Sequence, residues 1–125
     1  MQRSWIVPVL GVVRLGIGAG LLIRPEGMAE ALGVQNPNEP GVRWLARLIG
    51  AREIGIGVGT LLSAGSAPRP WILAQGISDT SDAIAFSALT ARGRIAPAKG
   101  WGLAAFAASG AVSEVLTALI PKLTK

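Results

Sequence analysis

The sequence predicts an all-α fold, an antiparallel bundle of four membrane-spanning helices with a short interfacial helix after the first span. Three observations predict it. Half of the 125 residues are hydrophobic and only 15% are charged, against about 25% in an ordinary soluble domain. Four apolar segments, at about 5–23, 44–64, 70–91 and 100–120, each run roughly 19 to 22 residues, enough to cross about 30 Å of hydrocarbon at 1.5 Å per residue. A tryptophan (Trp5, Trp44, Trp71 and Trp101) stands at the start of each segment, and indole favours the headgroup level. The length allows one domain over 1–125.

The first segment begins like a signal peptide, with Arg3 before an apolar run, but no A-x-A cleavage pattern follows, so it reads as a retained helix. It stops at Arg24-Pro25. In RPEGMAEALGV, Pro25 suits a first helical position, Gly33 suits a C-terminal cap, and Met28 and Leu32 share a face. That pattern predicts the short interfacial helix. The turn-rich NPNEPG precedes the second segment, AGSAPRP the third and RGRIAPAK the fourth, which Pro121 closes. The pairs Gly16/Gly20, Gly55/Gly59 and Ala104/Ala108 have GxxxG-like spacing and are expected to pack helices together. Arg3, Arg69, Lys122 and Lys125 fall on one side, and Arg24, Arg43, Arg92, Arg94 and Lys99 on the other, with Arg47 just inside the second segment. The imbalance leans toward the second side being cytoplasmic, with both termini outside.

The net charge of +5 is scattered, without an arginine- or lysine-rich run, so no nucleic acid partner is expected. The chain has no Cys and no His, which removes the usual zinc, copper and haem ligands. No metal and no cofactor are expected. The glycines of GIGAG and GIGVG lie inside apolar helices rather than after a strand, so they are not a dinucleotide fingerprint.

The informative stretch is QGISDTSDAIAF, residues 75–86, where two aspartates interrupt an apolar segment. A charge at the centre of a span costs about 2.5 to 3.5 kcal/mol to insert, so Asp79 and Asp82 are expected to face inward and find partners. Counting from the surface that carries the first and third loops, Arg14, Arg52, Glu53 and Asp82 lie roughly 12 to 14 Å deep, with Asp79 one turn further on. The same count puts Glu114 about 21 Å deep, nearer the opposite surface, where it could meet Gln75 or Thr60. Gln75, Asp79, Asp82 and Phe86 recur on one helical face, and Gly110, Ser113, Glu114 and Thr117 form a second, weaker polar stripe.

The motifs RLGIGAGLLIRP, AEALGV, RLIGAREIGIGVG and the later SDTSD resemble a family of small four-helix membrane proteins of unknown function. Similar segments occur in that family ahead of cyclase/dehydrase-like lipid-binding domains, and there is a looser likeness to DoxX-like proteins. The resemblance implies the four-helix architecture and no established activity. Its most specific pieces place the Arg-Glu pair at Arg52 and Glu53 and the aspartates at Asp79 and Asp82.

Four readings of function stay open. Buried ion pairs fix helix register at little net gain in stability, so the cluster can be structural. It can also be a catalytic site. Three carboxylates against two arginines leave a surplus charge, so one carboxyl is expected to hold a proton, the equipment of acid–base chemistry. Asp79 or Asp82 would then be the acid, Glu53 the base and Arg52 the orienter, in an isomerase, cyclase or hydratase acting on an isoprenoid or polyketide-like substrate. Arg14, Gln75 and Glu114 complete the candidate binding residues, and Phe86 and Trp101 are expected to line an apolar pocket. The third reading is an accessory subunit or a binder of a lipophilic small molecule, with the bilayer and a homo-oligomer or membrane subunit as partners. The fourth is a proton- or ion-coupled transport component. The expected location is integral, in a bacterial cell membrane.

Overall fold

A computed structural model describes residues 5–122. Arg3 and Lys125, counted in the orientation argument, lie outside the described residues. Among the described residues the fold is all-helical: α1 (Ile6–Ile23), α2 (Pro25–Ala31), α3 (Pro40–Ser63), α4 (Arg69–Ala91) and α5 (Pro97–Leu119). Proline sets the starts. Helices α2 to α5 each carry one in the first two positions, where the missing N–H costs nothing and φ is already helical. For that reason α3 begins at Pro40 rather than near Trp44, and α5 at Pro97 rather than at Gly100.

Two helix ends close in the same way. Gly33 follows α2 at φ 79° and Gly93 follows α4 at φ 71°. After α2, the Val34 N–H donates to Ala29 O (3.0 Å) and Gly33 N–H to Glu30 O (2.9 Å). After α4, Arg94 N–H donates to Leu89 O (2.9 Å) and Gly93 N–H to Thr90 O (3.0 Å). Both are Schellman closures, which need a left-handed residue that glycine supplies without strain. The chain just beyond them pairs. Gln35 N–H donates to Arg94 O (3.0 Å) and Ala96 N–H to Gly33 O (3.1 Å), flanking the Val34–Ile95 bridge. Ile95 is buried beneath this clip.

The long helices form two closely packed pairs, α1 with α3 and α4 with α5, and the pairs meet each other far more loosely. In the first pair the contact is made by glycines seven apart: Gly11 faces Gly57, and Gly18 faces Gly50, with backbone against backbone. The expected four-spaced pairs do not carry it. A side chain at Gly16 or Gly55 would meet open space, Gly20 faces Met28, and Gly59 lies under Trp71. Ala104 is buried but Ala108 is exposed. On antiparallel helices a seven-residue step returns to the same face two turns on, so it aligns contacts along the whole seam.

Of the four segments expected to span, two are long and apolar enough to cross a membrane by their own hydropathy, α1 and α5. Helices α3 and α4 are longer than α1, at 24 and 23 residues. Their arginines and carboxylates lower the mean hydropathy, and these are the helices that supply most of the ion cluster.

Candidate functional site

Between the two helix pairs runs a seam of polar side chains. Arg14, near the middle of α1, is buried and central. Its Nη1 donates to Glu53 Oε2 on α3 (2.7 Å), and its Nε donates to Gln75 Oε1 on α4 (3.3 Å). Its Nη2 lies 2.6 Å from Asp79 Oδ1 on α4 and donates to Glu114 Oε1 on α5 (2.8 Å). One guanidinium therefore ties all four long helices. Its planar fork of donors makes this possible; a lysine presents a single compact charge.

Gln75 continues the seam. Its amide donates to Thr60 Oγ1 on α3 (2.8 Å), and Thr60 in turn donates to Ile56 O (2.8 Å). Ser78 donates to Glu53 Oε1 (3.4 Å). Buried amides and hydroxyls demand such partners, because a lost hydrogen bond there costs about 1 to 3 kcal/mol.

A second arginine closes the edge between α3 and α4. Arg52 Nη2 donates to Glu53 Oε1 (3.0 Å) and to Asp82 Oδ2 (2.8 Å). This pair is less enclosed, with Arg52 32% and Asp82 22% exposed at the side chain, against 8% for Arg14 and 2% for Glu53.

The structure brings together Arg14, Arg52, Glu53, Gln75, Asp79 and Asp82, with Arg14 opposite Asp79 and Arg52 opposite Asp82. It departs from two expectations. Glu114 belongs to the same cluster, bonded to Arg14, rather than sitting apart nearer the opposite surface. Phe86 is half-buried and does not share a pocket with Trp101. Trp101 borders an open apolar groove on the outer face of α4 and α5, beside Ala83, Ile84, Ser87, Ala88 and Ala91. A second outer groove is lined by Thr80, Ala111, Val112, Val115 and Leu116, and neither groove is lined by a member of the ion cluster.

Ser78 is a site residue that the sequence does not single out, whereas Gly110 belongs to the polar stripe of the fourth segment. Ser78 lies between Gln75 and Asp82 on α4, and its burial was the missing signal. Gly110 is open on the side that faces Asp79, so a Cβ there would collide with the Asp79 carboxyl.

No family model, curated protein or solved structure matches the chain. The reading of the site therefore stands on its geometry.

Proposed function

We propose that the chain is a small polytopic membrane protein of structural or accessory role, in which the Arg14-centred cluster locks two helix pairs into register. The observation that carries this is an inverted distribution of polarity. Val12, Leu48, Leu62, Ile77, Ile84, Phe106, Val112 and Leu119 are all exposed, while Arg14, Glu53, Thr60, Gln75, Ser78 and Glu114 are buried. A soluble bundle buries its large apolar residues and keeps a charged outer face. Here the buried apolar set is mostly alanine, with few large side chains. The most apolar windows of α1 and α5 are only 28% and 33% buried, unlike the core helices of a soluble domain.

In hydrocarbon, four carboxylates and two arginines are tolerated where they face one another. Each carboxylate has an arginine partner, and neither outer groove leads to them. This arrangement favours locking over catalysis, which needs an approach for substrate. On this reading the chain is a protein of the kind that RLIGAREIGIGVG and SDTSD resemble.

The test uses the absence of cysteine. Single cysteines at Ile77, Ile84 and Phe106 are introduced, and cell membranes are treated with a membrane-impermeant maleimide. The protein is expected in the alkali-resistant membrane fraction, with all three positions unlabelled until detergent is added. Recovery as a monodisperse protein without detergent sinks the proposal.

A further inference from the structure

Glu114 is 4% exposed, and Arg14 occupies its Oε1, but its Oε2 is buried and receives no donor. The same Arg14 nitrogen that serves Glu114 also holds Asp79. Asp79 Oδ1 stands 2.6 Å and Glu114 Oε1 2.8 Å from that single nitrogen, which makes the two carboxyl groups immediate neighbours. The bareness of α5 at Gly110 lets the Asp79 carboxyl approach so closely.

The charged groups facing this pair are Arg14 from α1, Arg52 and Glu53 from α3, and Asp82 from α4; Gln75, Thr60 and Ser78 add neutral partners. Arg52 is engaged by Glu53 and Asp82. Among the described residues, that leaves Arg14 to face Glu53, Asp79 and Glu114 together. An ionised carboxylate only accepts hydrogen bonds, so two of them cannot bond to each other; a carboxylic acid and a carboxylate can. Two carboxylates crowded onto one guanidinium nitrogen repel, and a shared proton removes the repulsion.

We propose that Asp79 and Glu114 form a proton-binding site, with one proton held on Glu114 Oε2 and donated to the Asp79 carboxylate. The proton gives the orphaned oxygen its partner. It also adds a link between α4 and α5 that does not depend on Arg14. The enclosure comes from the four long helices themselves, so the site does not rest on the membrane reading.

Infrared spectroscopy of the purified protein in mild detergent at neutral pH, before and after exchange into deuterated buffer, reads the proton directly. The wild type is expected to show a carboxylic-acid C=O band that shifts on deuteration. That band is lost in Glu114→Gln and in Asp79→Asn and retained in Asp82→Asn. Absence of the band from the wild type overturns the proposal without any variant, and so does a band that survives both substitutions. Thermal unfolding gives an independent reading. Glutamine mimics a protonated glutamate, so Glu114→Gln is expected to melt close to the wild type and Glu53→Gln well below it. Equal losses in the two variants mean that Glu114 is charged, and the site falls.

Discussion

Gly18 and Gly50 face each other across α1 and α3 so closely that a Cβ on Gly18 would stand 2.8 Å from Gly50 O, and one on Gly50 2.9 Å from Gly18 O. Neither backbone can yield without moving the helix pair. Gly18→Ala and Gly50→Ala are therefore expected to cost about 1 to 3 kcal/mol, the range for overpacking. Gly16→Ala and Gly55→Ala meet open space and are expected to gain up to about 1 kcal/mol from helix propensity. Chemical unfolding in detergent ranks the four. Equal effects at Gly16 and Gly18 would remove the seven-residue contact from the account.

Arg14 and Arg52 differ in enclosure, and the difference sets their costs. Arg14→Gln leaves Glu53, Asp79 and Glu114 facing one another without their common cation. Breaking a buried pair in this way costs about 3 to 5 kcal/mol. The Arg52–Asp82 pair is partly open, so Asp82→Asn is expected to cost about 1 kcal/mol or less. The melting temperature of each variant in the same detergent checks the order. A larger loss for Asp82→Asn than for Arg14→Gln contradicts the placement of Arg14 at the centre.

Much of this was legible in the chain. The short helix after α1, the inward aspartates and their two arginine partners all follow from proline placement, periodicity and the cost of a lone charge in an apolar segment. Glu114 was misplaced for a physical reason. A depth taken along Cα positions leaves out the lean of side chains toward the N-terminus of their own helix. Helices α1 and α5 start at opposite ends of the bundle, so Arg14 and Glu114 lean toward each other and close a gap that the count left open. The contact glycines Gly11, Gly18, Gly50 and Gly57 are spaced by seven, a repeat that the four-residue GxxxG pattern does not pick out.

Phe106 lies near the middle of α5 and is 72% exposed. In water, an arginine there would be close to neutral for stability. On the membrane reading, Phe106→Arg is expected to cost about 2.5 to 3.5 kcal/mol of insertion free energy. The amount of protein recovered in membranes, compared with Phe106→Leu, checks it. Equal recovery of the two variants argues for an aqueous surroundings at α5.

Ile95 is buried to 1% beneath the clip that joins the two loops. Ile95→Ala is expected to cost about 2 to 5 kcal/mol. Hydrogen exchange at the Gln35 and Ala96 amides should speed up with it, because those amides make the clip. Unchanged protection at both amides would show that the clip holds without its core residue.

The clip lies at one end of the bundle, and the connection between α3 and α4, residues 64–68, lies at the other. The two helix pairs are thus fastened at both extremities, packed together through Val7, Ile72 and Ala118, and joined at the waist by long polar side chains. Sliding one pair past the other by a helical turn, about 5.4 Å, would tear the clip and pull Ile95 into the open. Sideways parting at the waist breaks no backbone bond. Compliance in this molecule is transverse, and the guanidinium of Arg14, which holds all four long helices, is foremost among the groups that resist it.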